Sequence, residues 1–236
     1  MAWLFVVWIV KQTSPGQNET VSIWDVCTGA LVAEITPPTR YSWGMVTTLA
    51  WVKVAPTGET LLALGTGRGL LATALIKGFT PFRVGEVSNH PAFSLNDYIE
   101  AMASDPKASR IAIGSARGCV RVLCFTGPLT PVTTNVLVAD AGPRSLRFIG
   151  NHLTIFHNFE GKIKTWNLED DPHSPPSVRD SRMAIGHAAF SLDEENFVIQ
   201  DIGRSQFKLM SANSRAALKM FATSNIKNRI LQCRSS

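Results

Sequence analysis

The chain has 236 residues, 45% hydrophobic and 17% charged, a balance that suits a folded domain and excludes a disordered one. No apolar run approaches the roughly 18 residues of a membrane span. The four cysteines (Cys27, Cys119, Cys124, Cys233) form no CxxC pair, which excludes a zinc framework and points to reduced, mostly buried thiols. The net charge of +5 is uneven. Residues 202–236 hold seven of the 23 basic side chains (Arg204, Lys208, Arg215, Lys219, Lys227, Arg229, Arg234) and none of the 18 acids.

The chain opens on the apolar stretch Ala2–Val10. It lacks a basic leader and a small-residue cleavage site, so it reads as a buried strand, Trp3–Lys11, and not as a signal peptide. A turn rich in Pro, Gly and Asn follows, then Val21-Ser22-Ile23-Trp24-Asp25-Val26. That apolar hexad returns as Leu71–Ile76, Val120–Phe125, Ile163–Leu168 and Phe207–Ala212, with starts 50, 49, 43 and 44 residues apart. A period of this size, with short strands between turn residues, marks a repeat array of small antiparallel sheets.

Each repeat reads as four strands, a to d. In the second they are Val46–Val54, Thr60–Thr66, Leu70–Ile76 and Phe82–Val87, with turn signals at Pro56-Thr57-Gly58 and Gly67-Arg68-Gly69. In the third, a to c are Tyr98–Ala103, Arg110–Ser115 and Val120–Phe125. In the fourth they are Arg144–Ile149, His152–His157 and Ile163–Leu168, and d is short. The fifth runs His187–Ser191, Phe197–Asp201, Phe207–Ala212 and Ala216–Ala222. The first repeat lacks strand a, and residues 225–234 read as a lone strand a. No window carries a sustained 3.6-residue apolar face, so helices are few.

Ile23-Trp24-Asp25 and Thr165-Trp166-Asn167 resemble the strand-c signature of the WD40 repeat family, and Phe190-Ser191-Leu192-Asp193 resembles its entry into the a–b turn. The resemblance implies an all-β propeller of four-stranded antiparallel blades. About five blades are encoded in one domain spanning 1–236: 1–36, 45–88, 97–139, 143–179 and 184–223. Strand 225–234 either closes the ring, with Ile226–Cys233 pairing against Trp3–Lys11, or extends it as part of a larger propeller. The family's Asp in the b–c turn is replaced here by Asn18, Arg68, Arg117, Glu160 and Arg204, and a Gly-His pair occurs only at Gly186-His187. The family's buried polar network is therefore expected to be absent or partial, with stability resting mainly on apolar packing.

No nucleophile elbow, metal-spaced histidine pair or phosphate loop is present. Gly65-x-Gly67-x-Gly69 joins two strands and has no helix after it. The expected function is a non-catalytic, protein-binding scaffold, cytoplasmic or nuclear, with no cofactor or metal and an acidic partner segment. The expected site is the end of the sheets that carries the b–c turns and d–a connections. It comprises Arg68, Arg117 and Arg204 in the turns, and Arg40, Tyr41, Trp43, His90, Arg144 and Arg182 in the connections. The alternative is binding of nucleic acid or anionic lipid through the basic C-terminal segment. A propeller glycosidase, which needs paired carboxylates, is a further and weaker reading.

Overall fold

Strand-forming segments of β-branched and leucine-rich sequence, cut by Gly, Pro and Asp turns, dictate a chain that folds back on itself. The computed structural model describes residues 5–10, 20–25, 27–38, 42–54, 57–79, 82–105, 109–127, 129–139, 141–157, 161–170, 174–181, 183–191, 195–211 and 217–222. All its regular elements are strands. Among the described residues no helix is long and apolar enough to cross a membrane.

The strands form five antiparallel sheets. Sheet one holds β1 (Phe5–Val10), β2 (Thr20–Asp25) and β3 (Leu31–Ile35). Sheet two holds β4 (Val46–Lys53), β5 (Thr60–Thr66), β6 (Leu70–Phe79) and β7 (Phe82–Pro91). Sheet three holds β8 (Ile99–Ser104), β9 (Arg110–Ser115), β10 (Cys119–Phe125) and β11 (Pro131–Val138). Sheet four holds β12 (Pro143–Ile149), β13 (His152–His157), β14 (Lys162–Asn167) and β15 (Ser177–Asp180). Sheet five holds β16 (Ile185–Phe190), β17 (Asn196–Asp201), β18 (Gln206–Ser211) and β19 (Ala217–Ala222). In every sheet, strands adjacent in sequence are adjacent in space, as in an up-and-down meander. The closing strand read at 225–234 lies outside the described residues.

The chain divides into two units, Met1–Asp140 and Ala141–Ser236, so the boundary falls between the third and fourth repeats. In the first unit, sheet two is buried on both faces. Leu62 and Leu64 of β5 and Ala72, Ala74 and Ile76 of β6 join Val21, Ile23 and Ile35 of sheet one. The alternate residues Leu61, Ala63, Leu71 and Leu75 join Ile99, Ile111 and Ile113 of sheet three. Burial on both faces is why Leu61–Leu64 reads as an unbroken apolar run. Gly65 sets how closely sheets two and three approach. A Cβ there would lie 2.6 Å from Thr48 Cγ2 and 2.7 Å from Ile99 Cγ2. In the second unit, Phe156 of sheet four packs with Ile185, Ala188, Phe197, Ile199 and Met210 of sheet five.

One irregularity recurs. Strand a of each four-stranded sheet carries an extra residue opposite the end of strand b. Val46 and Thr48 pair with Thr66 and Gly65, so Thr47 is bulged. The same shift falls between Ile99 and Ala101, between Pro143 and Ser145, and between Ile185 and Ala188. The bulges also connect sheets. The Thr47 hydroxyl lies within hydrogen-bonding reach of Gly65 O and Ile99 O, and the Ser145 hydroxyl donates to Ala188 O at 2.9 Å.

One expectation about the interior is corrected. Cys27 is exposed in the turn after β2, and Cys119 and Cys124, at the two ends of β10, are half-buried, so the described thiols are free but not buried. Buried polar contacts are also present. The last residue of strand b is polar and buried in every four-stranded sheet: Thr66, Ser115, His157 and Asp201. Asp201 forms an ion pair with Lys208 Nζ at 3.2 Å, beneath the surface of sheet five.

Breaking a buried ion pair strands a charge and costs about 3–5 kcal/mol, whereas replacing both partners is often close to neutral. Lys208→Met is therefore expected to lower unfolding free energy in urea by several kcal/mol, and adding Asp201→Asn to restore most of it. Equal destabilisation by the single and double variants would show that the pair has no such coupling.

Candidate functional site

The b–c turns are built by backbone chemistry before any side chain acts. In sheet two the turn is Gly67-Arg68-Gly69. The Gly67 N–H donates to Met45 O at 2.6 Å and the Gly69 N–H to Thr66 O at 3.1 Å. The buried Thr66 hydroxyl accepts the Arg68 and Leu70 N–H groups at 3.4 and 3.1 Å. In sheet three the turn is Ala116-Arg117-Gly118. Here Ala116 N–H donates to Tyr98 O and Gly118 N–H to Ser115 O, both at 3.0 Å. The Ser115 hydroxyl accepts the Cys119 N–H at 3.2 Å. Both turns have three residues and end on a glycine with positive φ, +72° at Gly69 and +88° at Gly118.

Asp97 joins the two turns. It precedes β8, it is buried, and its Oδ1 accepts the Arg117 N–H at 3.2 Å. On its other side Gly69 packs so closely that a Cβ would lie 2.8 Å from Asp97 O and 2.9 Å from Ser94 O. Arg68 and Arg117 therefore lie at the same end of the first unit, on neighbouring sheets. Both are exposed. Arg68 lays its side chain over Gly44, where an added Cβ would be 3.2 Å from its Cγ. Among the described residues no carboxylate pairs with either guanidinium.

Apolar side chains are exposed at the same end. Met45 is 48%, Tyr98 42% and Leu95 72% exposed, and Met45 and Tyr98 are the residues whose carbonyls hold the two turns. The sequence reading missed all three. Met45 and Leu95 stand one and four residues before a strand a, in connections that look like ordinary spacer, and Tyr98 reads as the first residue of a strand a. Asp97 was missed for the same reason as Leu95, although Asn96-Asp97 after Ser94 is a turn signal.

The remaining predicted site residues are distributed differently. Arg204 is exposed but belongs to the second unit. Its turn, Ile202–Ser205, is one residue longer than the turns of Arg68 and Arg117, so the three match only when counted back from strand c. Its N–H is held by Asp201 Oδ1 at 3.3 Å. Trp43 is a correction. It is 1% exposed, packs with Val21, Ile23 and Leu64, and donates its indole N–H to Asn89 Oδ1 at 2.8 Å, so it is core and not contact surface. Arg144 is also corrected. It is the bulged residue of β12, half-buried and already partnered, and not part of a connection. His90 lies inside β7, paired with Leu71. Arg40, Tyr41 and Arg182 lie outside the described residues. In the basic C-terminal segment, Lys208 is the buried partner of Asp201 and Lys219 stacks over Phe221 at 5.3 Å, while Arg215, Lys227, Arg229 and Arg234 lie outside the described residues.

No protein-family model matches this chain, and no curated protein matches it. The site must therefore be read from its own chemistry. Among the described residues no group of three or more His, Cys, Asp and Glu side chains could hold a metal ion. What the end of the first unit offers is a pair of fork-shaped cations between apolar side chains, on a backbone fixed by paired hydrogen bonds. That arrangement suits a carboxylate-bearing polypeptide surface.

Two outcomes follow from this geometry. Gly69→Ala meets both a left-handed backbone and the carbonyls of Asp97 and Ser94. Gly58→Ala, at φ +69° with nothing within 4 Å, meets only the first and should cost about 1–2 kcal/mol. Urea denaturation should show the Gly69 variant to be clearly the less stable, and equal losses would refute the close approach. The second outcome concerns His90. Desolvation lowers its pKa below the ordinary 6.5, against an opposing backbone hydrogen bond to Leu129. Its neutral form is thus favoured in the folded state. Its contribution is complete above about pH 6.5 and is lost as pH falls below that value, because the unfolded chain takes up the proton first. His90→Gln should flatten the decline in stability between pH 7 and pH 5, measured against the parent chain.

Proposed function

We propose that this chain is a WD40-like propeller whose four-stranded sheets are blades, and that it serves as a non-catalytic scaffold for another protein. The meander order of every sheet and the repeated strand-a bulge support the repeat reading. The observation that carries the binding role is the end of the first unit. There, exposed Arg68 and Arg117, with no carboxylate partner among the described residues, stand among exposed Met45, Leu95 and Tyr98.

Interfaces are enriched in arginine, tyrosine and methionine and depleted in lysine at their centres, which fits this composition better than a nucleic-acid surface does. A duplex-binding face would instead gather many basic side chains along a stripe. The partner surface that fits is an acidic segment with interspersed apolar residues. Carboxylates meet the guanidinium forks, and apolar groups cover the Met45 and Tyr98 side chains. The turns are already hydrogen-bonded, so little ordering cost falls on this side of the complex.

Arg68→Ala with Arg117→Ala should abolish capture of the partner protein by the purified chain and leave the melting temperature within a few degrees. Arg204→Ala in the parent chain tests whether the second unit contributes to the same partner. Unchanged capture by the double variant would overturn the proposal. So would affinity for RNA, DNA or anionic vesicles that falls steeply with salt while no protein is captured.

A further inference from the structure

The second unit contains a cavity of about 120 Å³ between sheets four and five. Its walls include Thr154, Phe156, Thr165, Phe190, Phe197 and β15. Its origin lies in one position of the repeat. Phe156 pairs with the residue after the strand-a bulge, as Gly65 and Gly114 do in sheets two and three. In the first unit, the bare backbone of Gly65 lets Ile99 settle against it. In the second, Phe156 stands at that level and packs in one cluster with Ile185. Farther out, the small side chains of Thr154 and Thr165 leave the gap unfilled.

Three phenylalanines supply the aromatic part of the lining. Phe190 and Phe197 stack at 4.9 Å, Phe156 meets Phe190 edge-on at 5.7 Å, and Arg147 lies over Phe190 at 5.2 Å. Three of the polar wall residues are hydrogen-bonded among themselves. The Thr154 and Thr165 hydroxyls are 3.2 Å apart, and the Ser177 hydroxyl donates to Thr165 O at 3.4 Å. An apolar occupant would leave these hydrogen bonds in place.

Size narrows the occupant. A dry cavity of about 150 Å³ admits a benzene ring, whereas pockets for small-molecule ligands run to about 300–1,000 Å³. This cavity holds one ring or one branched aliphatic chain. Its most exposed wall is β15, the last strand of its sheet among the described residues, which has only four residues and exposes Val178. A strand added to that edge would place alternate side chains on the face that carries Ser177 and Arg179, over that wall of the cavity.

We infer that the cavity and the outer edge of β15 together form a docking site for an extended peptide segment that inserts one leucine- or phenylalanine-sized side chain. The site goes beyond the arginine-bearing turns and involves none of their residues, so either assignment can fail without the other.

The test uses the full chain with isotope-labelled Ile, Leu and Val methyl groups. The probes are acetyl-Thr-Thr-Leu-Thr-Thr-amide and its counterparts with central Phe or Ala. Saturable shifts at Ile149, Ile163 and Val178 are expected with the Leu or Phe probe, and binding about tenfold or more weaker with Ala. Thr165→Leu, which fills the cavity, should block binding, and Thr165→Val, which removes only the hydroxyl, should retain it. The comparison of the three probes on the parent chain stands even if a variant misfolds. Absence of shifts with both the Leu and Phe probes overturns the inference, as does normal binding by a folded Thr165→Leu chain. Saturation by benzene without any peptide response reassigns the cavity to small apolar molecules. Shifts that grow with protein concentration alone assign it to a second copy. Either result also overturns the inference.

Discussion

In sheets two, three and four the carbonyl of the glycine that closes the b–c turn accepts the N–H of the first residue after strand d. Gly69 O takes Ala92 at 3.0 Å, Gly118 O takes Ala139 at 2.7 Å, and Gly161 O takes Ser181 at 2.7 Å. At the other side of the turn, the N–H following strand b donates to the carbonyl preceding strand a, at Met45, Tyr98 and Ala184. In sheets two and three one end is thereby tied across all four strands by main-chain groups alone. This arrangement tolerates wide variation in the side chains it displays. A turn residue with no structural duty of its own is free to be arginine, and its side chain is directed by a backbone that cannot swing.

The polar residue beneath each turn acts at a different depth. Thr66 and Ser115 accept turn N–H groups and are neutral, so they carry no charge into the sheet. Asp201 also caps its turn, but its charge obliges a counter-ion, and Lys208 supplies one from the neighbouring strand. Asp97 achieves the same capping from outside its sheet. The four solutions differ in chemistry and agree in purpose. Each satisfies donors that a hairpin of three or four residues leaves facing inward.

Much of this was legible from sequence because it is local. Strand periodicity, turn glycines and the recurrence of the strand-c hexad placed the strands to within a few residues; strand b, for example, spans Thr60–Thr66 in both the reading and the structure. What the sequence concealed is non-local. Trp43, a large aromatic in a connection, resembles a contact residue until Asn89, 46 residues away, is seen to hold its indole. Arg144 resembles a loop residue until the bulge it forms is counted against His157 and Phe156. The cavity beside β15 has no signature at all in one repeat. It appears only when Phe156 is compared with the glycines at the same station, and when Thr154 and Thr165 are seen not to compensate.

The two-faced burial of sheet two bears on how the chain is made. The β5–β6 hairpin closes through three residues and can form early, yet both of its surfaces are oily. Emerging from a ribosome, it finds sheet one already synthesised and able to shield Leu62 and Leu64. The surface carrying Leu61 and Leu71 must wait for β8 and β9. During that interval the face carrying Leu61 and Leu71 lacks its native cover, a reason for the third repeat to follow without delay.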